Sequence, residues 1–360
     1  MNKSVVLGIS GGIDSAVSAL ILKNKGYKIT GVYLKTQTES ENPHQDARVK
    51  RIAADLEFPL HILDISADFT EKVIGNYVHN HFKGYTPSPC SYCNPVIKWP
   101  HLIHMADKLD CDCIATGHYI RIIETNNTFF IHQAQDKLKD QSYFLWNLSQ
   151  DVLSKTITPL GSYSKNQVRA MASEYGLNYL DTQKESTGLC FAHGLSCEET
   201  ILRYAPDFLS KVKQGNVIDS NNNIIGTHKG YPFYTVGQKK GLNLDIPEKY
   251  CVKEIIPETN TLVADKWQNL YSRSFTVTNV NTPDLHYLLS DKNLLVKVRG
   301  FGLNPDGKAH IKQIDENVFS ITVNVPAWAP APGQPAVFYN DDILVGGGII
   351  QKVQFITSLI

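Results

Sequence analysis

Gly8-Ile9-Ser10-Gly11-Gly12-Ile13-Asp14-Ser15 grows out of the apolar run Val5-Val6-Leu7 and leads into Ala16, Val17, Leu20 and Leu22 at helical spacing. A glycine turn between a buried strand and a helix is suited to binding an anion. Backbone N–H groups can approach phosphate oxygens closely, and the helix N-terminus adds partial positive charge. Ser10 and Ser15 can donate hydroxyl hydrogen bonds, and Asp14 can cap the helix or help hold Mg2+. The Lys-Ser/Thr ending of a Walker A loop is absent. An ordinary glycine-rich turn is the plainer alternative, and Ser-Gly-Gly-x-Asp-Ser in this setting favours the anion site.

The second group of reactive types is the cysteines: Cys90, Cys93, Cys111, Cys113, Cys190, Cys197 and Cys251. Their number is odd and the chain opens without a signal-peptide pattern, which argues against a secreted disulfide framework. Reactive, metal-binding or merely buried thiols are expected instead. Cys90-x-x-Cys93 with Cys111-x-Cys113 could form a zinc site, but Cys113 opens a run that reads as buried sheet. Cys197 and Cys251 read as ordinary thiols.

Several elements must position these groups. Val5–Ile9, Ile29–Leu34, Leu60–Ile65 and Cys113–Thr116 read as strands. Helical patterns over about 14–25, 45–57, 68–83 and 95–108 lie between them. Such alternation predicts a doubly wound parallel sheet. Tyr119–Ile123 and Phe129–Gln133 flank Asn126-Asn127, a hairpin signal. Residues 141–180 look helical, and a polar stretch surrounds 184–194. Short β-like runs dominate from about Gly215, at 233–236, 261–264, 275–280, 294–298, 318–325 and 336–339. The fold expected is α/β: an N-terminal doubly wound domain (1–200), a small central domain (201–270) and a C-terminal β-barrel (271–360).

The 360 residues carry 35 Lys+Arg and 35 Asp+Glu, so the formal charge is zero, and 42% are hydrophobic. No apolar run approaches the ~18 residues of a membrane span. A soluble, cytoplasmic protein is expected, with neither membrane nor DNA as partner. Residues 211–253 hold Lys211, Lys213, Lys229, Lys239, Lys240, Lys249 and Lys253 against Asp219, Asp245 and Glu248. That local excess is either a solvated face or a phosphate-binding surface.

The octapeptide resembles the PP-loop of the ATP-pyrophosphatase superfamily, whose members split ATP between the α- and β-phosphates and adenylate an oxygen. Other motifs narrow the acceptor. Thr86-Pro87-Ser88-Pro89-Cys90-Ser91-Tyr92-Cys93-Asn94, Ala115-Thr116-Gly117-His118-Tyr119, Lys139-Asp140-Gln141-Ser142-Tyr143-Phe144-Leu145, Glu185-Ser186-Thr187-Gly188-Leu189-Cys190-Phe191, Thr235–Leu242 and Pro332–Tyr339 occur in order. Together they resemble the MnmA-type tRNA 2-thiouridylases over essentially the whole chain.

The resemblance implies ATP- and Mg2+-dependent 2-thiolation of the wobble uridine in a tRNA anticodon loop. It implies nucleotide contacts from Gly8 to Ser15 and from Leu34 and Gly117, with Leu34 near adenine. The position of Cys190 carries a persulfide. Cys93 attacks it, releasing sulfur and closing a Cys93–Cys190 disulfide. Lys98, or a helix N-terminus near Pro95, is expected to acidify Cys93. A persulfide or sulfide donor protein is the implied second partner. His118, Lys139, Asp140, Gln141, Arg299 and Gln334 are the implied tRNA contacts, although Arg299-Gly300-Phe301-Gly302 departs from the family's more basic segment. Many members carry aspartate where Cys90 stands. Three thiols, Cys90, Cys93 and Cys190, would suit a [4Fe-4S] cluster as an alternative sulfur holder. A lysidine-forming or amidating PP-loop ligase is the competing enzyme class, and it would need no redox cysteine.

Overall fold

The computed structural model describes residues 3–37, 44–180, 188–244, 249–290 and 293–356. Glu185, Ser186 and Thr187, which open the motif ending at Phe191, lie outside them. The chain divides into two units. The first comprises Met1–Val73, Cys90–Thr187 and Asp342–Leu344, and the second Ile74–Pro89, Gly188–Asp341 and Val345–Ile360.

The first unit is built on β1 (Ser4–Gly8), β2 (Lys28–Lys35), β3 (Leu60–Asp64) and β4 (Cys113–Ala115). A hairpin, β5 (Ile120–Thr125) and β6 (Thr128–Gln133), follows, and then β7 (Thr156–Ile157). The parallel sheet runs β3-β2-β1-β4-β7. Val5, Val6 and Leu7 of the central strand are fully buried, as a strand covered on both faces requires. The helices Ile13–Asn24, Gln45–Asp55 and Lys165–Glu174 contribute Val17, Ile52 and Val168 to one core with Val5 and Leu7. The Trp99–Lys108 helix packs against β1, β2 and β4.

Three expectations need correction. Residues 141–180 are not all helical, because Thr156 and Ile157 form the fifth strand, parallel to β4. Two residues are too few to show a period of two. The helix expected at 68–83 is broken into Ser66–Phe69, a π turn over Thr70–Ile74, and Gly75–Phe82. The helix expected from Pro95 begins instead at Pro89 and runs through a π turn, Asn94–Lys98, into Trp99–Lys108. Pro95 and Pro100 each remove an N–H donor from that run, which explains its irregular ladder.

The hairpin matches expectation. Asn126 and Asn127 both take left-handed φ, 51° and 61°, as a two-residue I′ turn demands. The free edge of β6 pairs with Ile343 and Leu344. Asp342 beside them is bonded to Arg121 and His132.

In the second unit, β8 (Gly215–Ile218), β9 (Ile224–His228), β10 (Asn243–Leu244), β11 (Tyr250–Ile256) and β12 (Thr261–Lys266) form a sheet in the order β10-β9-β8-β12-β11. The strands β13 (Tyr271–Asn281), β14 (Leu294–Lys297), β15 (Lys308–Asp315), β16 (Val318–Trp328), β17 (Pro335–Asn340) and β18 (Ile343–Phe355) follow. Their order is β13-β16-β15-β14-β17-β18, and β13 pairs with β18 to close a six-stranded barrel. Phe233–Val236 is not the strand expected. Tyr231–Phe233 is a 3-10 turn, and the chain bends again at Gly237, where φ is 88°.

A Cβ on Gly161 would collide with the Ile120 carbonyl and the Arg121 side chain. Gly161→Ala should therefore cost about 2–3 kcal/mol, read as a lower thermal or urea midpoint. Gly188→Ala, where a Cβ meets nothing within 4 Å, should leave the midpoint unchanged.

Candidate active site

The strand order places β1 between β2 and β4, so connections leave β1 and β4 in opposite senses. Ligands of open parallel sheets sit at that switch point, beyond the carboxyl ends of the strands. The loop after β1 is Ile9–Gly12, and the loop after β4 carries Gly117 and His118.

The β1 loop is tightly fixed. Ile9 N–H donates to Val32 O at 2.9 Å. Gly11 has a φ of 78°, and a Cβ there would lie 2.6 Å from the Gln45 amide. Gln45 in turn donates to Ser10 O. Gly12 is the N-cap of the Ile13–Asn24 helix and gives it no side-chain cap. Ser15 Oγ donates to Gly12 O at 2.9 Å and accepts from Ser10 N–H at 3.2 Å. Gly117 closes the other wall, because a Cβ there would stand 3.1 Å from the Asp14 carbonyl carbon and Ser15 N. The cradle is thus backbone, serine hydroxyl and helix N-terminus, which fits the phosphates of a nucleotide. Leu34 is half-buried on β2, beyond the pairing of Gly8 with Val32.

Asp14 is already engaged. Lys165 Nζ lies 2.7 Å from Oδ1 and 2.9 Å from Oδ2, and Tyr119 OH donates to Oδ1 at 2.7 Å. Lys165 and Tyr119 are site residues that the motifs do not mark as such. One signal was present. Ser164 and Gln167 form a capping box that starts the Lys165–Glu174 helix. A lysine in a first helical turn opposes the dipole, so it needs an anion from elsewhere.

The residues expected to meet tRNA are placed as follows. His118 packs against the Trp99 ring at 5.1 Å, and its Nδ1 lies 3.0 Å from Thr116 Oγ1. Burial, then the Lys98 charge, pushes its pKa down to about 3, so the ring is neutral. Lys139 is half-buried in a turn whose N–H bonds to Asp136 O. Asp140 is buried and accepts from Ala134 N–H, Ser142 N–H and Ser142 Oγ. Gln141 Oε1 accepts from Tyr119 N–H at 2.9 Å. In the second unit, Gln334 Nε2 donates to the carbonyls of Thr86 and Pro87 at 3.0 and 2.9 Å. Arg299 donates to Ala329 O at 2.7 Å and stacks over Trp328. Asp140, Gln141, Gln334 and Arg299 therefore all brace backbone within their own unit.

Cys90, Cys111, Cys113, Cys197 and Cys251 are free thiols. Cys90 and Cys93 lie in the Pro89–Cys93 helix, Cys90 half-buried and Cys93 only 5% exposed. Because helical structure starts at Pro89, the expected N-terminus near Pro95 is absent. Asn94 anchors the next turn by donating to Phe144 O at 2.9 Å. In the second unit Cys190 is exposed. Its neighbour Phe191 is buried against Tyr77 and Tyr204, and Tyr204 OH donates to Phe191 O at 3.0 Å. Burial pushes the thiols of Cys113 and Cys197 up to about 11 and also raises those of Cys111 and Cys251. Among the described residues no group of three or more His, Cys, Asp or Glu is placed to hold a metal ion.

Residues 3–194 match a family model described as the tRNA methyl transferase HUP domain. Residues 207–265 match its PRC-barrel domain, and 272–350 an aminomethyltransferase β-barrel domain. The chain is 37% identical to a tRNA-specific 2-thiouridylase MnmA of Chlorobium phaeobacteroides, covering 98% of this chain and 99% of that protein. It is 37% identical to the protein of that name from Amoebophilus asiaticus, covering 96% and 95%. With that of Clostridium acetobutylicum it shares 36%, covering 98% and 100%. A solved U34-tRNA thiolase, NcsA of Methanococcus maripaludis, overlays on 58% of this chain and 66% of its own at 20% identity and a TM-score of 0.35. A glycine cradle at the switch point of a parallel sheet, and relatives matched from end to end, place this chain in the family of MnmA tRNA-specific 2-thiouridylases.

Proposed function

We propose that this chain is a tRNA 2-thiouridylase that uses ATP to replace the 2-oxygen of the wobble uridine with sulfur. The near-complete match to 2-thiouridylases carries this reading, and the uncapped glycine cradle supports it. In the first step the uracil 2-oxygen attacks the α-phosphorus held over Gly8–Ser15, with Leu34 and Gly117 lining the nucleotide. The P–O bond to the β-phosphate breaks and pyrophosphate leaves. Adenylation turns a poor leaving group into a good one, since AMP departs readily. Mg2+ enters with the triphosphate as its counter-ion.

Sulfur arrives from a donor protein as a persulfide on the exposed Cys190. The Cys93 thiolate attacks Cys190 Sγ, the Sγ–Sγ bond forms, and the outer sulfur leaves as hydrosulfide. Hydrosulfide adds at C2 and AMP departs. A thiol reductant supplies the two electrons that reopen the disulfide. The target uridine must leave the anticodon stack to reach the cradle. A neutral His118 suits stacking on a base, and Lys139 supplies charge. Asp140 and Gln141 contribute by shaping the surface beside it, and Arg299 and Gln334 by shaping a surface of the second unit that meets the tRNA. Residues 1–200 would then perform adenylation and sulfur transfer, with 201–270 and 271–360 holding the tRNA. The work would be cytoplasmic, in keeping with the lack of any helix among the described residues long and apolar enough to cross a membrane.

Incubation with ATP, Mg2+, sulfide and unmodified glutamate, lysine or glutamine tRNA should yield 2-thiouridine by mass spectrometry, matched by equal pyrophosphate. Pyrophosphate without thiouridine would point to another acceptor chemistry. Cys190→Ser should abolish thiolation from a persulfide donor, whereas a lysidine-type or amidating ligase would stay largely active. The cluster alternative requires that anaerobic reconstitution with iron and sulfide give visible absorbance that Cys90→Ser removes. His118 should remain neutral down to about pH 4 in an NMR titration. Its folded pKa lies below its unfolded value, so the stability it contributes is present above the unfolded pKa. That contribution is lost as pH falls from about 6.5 toward the folded value.

A further inference from the structure

We infer that Lys165 is the cation of the ATP site, binding the β- and γ-phosphates and the pyrophosphate they become. This rests on the ATP-splitting reading above. The cradle offers N–H groups, two serine hydroxyls and a helix N-terminus, but no positive side chain of its own. A Walker loop carries its lysine in the loop sequence. Here the sheet brings one from a distant helix. Lys165 Nζ sits within 2.9 Å of both oxygens of Asp14, in the first turn of the helix that closes the cradle.

Three observations set this pair apart from a scaffold salt bridge. The Lys165 side chain is 9% exposed while Asp14 is 35% exposed, so a desolvated ammonium faces an anion that stays open to solvent. Burying such a pair gives little net stability, and a lysine in a first helical turn opposes the dipole. The position is nevertheless firmly fixed. Lys165 N–H donates to Asp136 Oδ2 at 2.9 Å, the capping box fixes the preceding residue, and Tyr119 OH braces Asp14. An ammonium has three donors and acts on phosphate as a point charge. As the bond between the α-phosphorus and the bridging oxygen breaks, the electron pair goes to pyrophosphate. A fixed cation there lowers the cost of that developing charge.

The test compares ligands with and without the outer phosphates. Dissociation constants for ATP, AMP and inorganic pyrophosphate are measured with Mg2+ and without tRNA, for wild type, Lys165→Met and Lys165→Gln. The glutamine variant keeps a donor for Asp14 and serves if the methionine variant does not fold. Melting curves establish which variants are folded. A folded neutral variant should lose about tenfold to a hundredfold for ATP and pyrophosphate, keep AMP affinity within about twofold, and release pyrophosphate more slowly on tRNA. Unchanged ATP and pyrophosphate affinity, or equal losses for AMP, would overturn the inference and leave Lys165 a scaffold residue. A wild-type protein that binds neither ATP nor pyrophosphate would instead sink the ATP-splitting reading itself.

Discussion

A parallel sheet covered by helices on both faces can meet a ligand only at the ends of its strands. That constraint organises the first unit. Val5, Val6 and Leu7 have no solvent-facing side, so whatever β1 contributes to chemistry must come from the residues just after it. The chain there has to turn at once into the Ile13–Asn24 helix. Gly11, in a left-handed conformation and pressed against Gln45, makes the turn without a side chain filling it. Gly117 approaches the same turn from β4 for the same reason. The cradle is what remains when two strand ends meet and nothing larger than hydrogen fits between them.

Environment also sorts the thiols. Cys113, which donates to Ser4 O, and Cys197, set between Tyr77 and His81, are held protonated by burial. An exposed cysteine beside an anchored aromatic is a different object: Cys190 can meet a partner while Phe191 keeps the backbone in place. A chain with seven cysteines thereby avoids seven competing nucleophiles, because reactivity follows the thiolate and its access.

How much of this was legible in the sequence depends on how local each feature is. The cradle is contiguous, and its glycines, serines and flanking strand and helix read correctly from one octapeptide. The Asn126-Asn127 turn is equally local. Lys165 is not, since only the sheet brings it to Asp14, and its one clue was a charge placed against a helix dipole. The fifth strand is hidden by its length, and the helix start at Pro89 by Pro95 and Pro100 further along, because proline favours a first helical turn. Resemblance supplied names for the tRNA-side residues but not their surroundings. Asp140, Gln141, Arg299 and Gln334 have chemically versatile side chains, and the fold directs each to a neighbouring backbone group.

The pairing of β6 with Ile343 and Leu344 has a bearing on how the chain is made. Every other strand of the first unit is synthesised before residue 160, yet the edge of this hairpin finds its partner only when the final barrel strand emerges from the ribosome. Until then Ile131 and Gln133 lack their partners on the outer edge of β6, whereas Phe129 is already bonded on both sides to the Gln150 amide. The last two places on that edge are filled by the opening residues of a strand that belongs mostly to the other half.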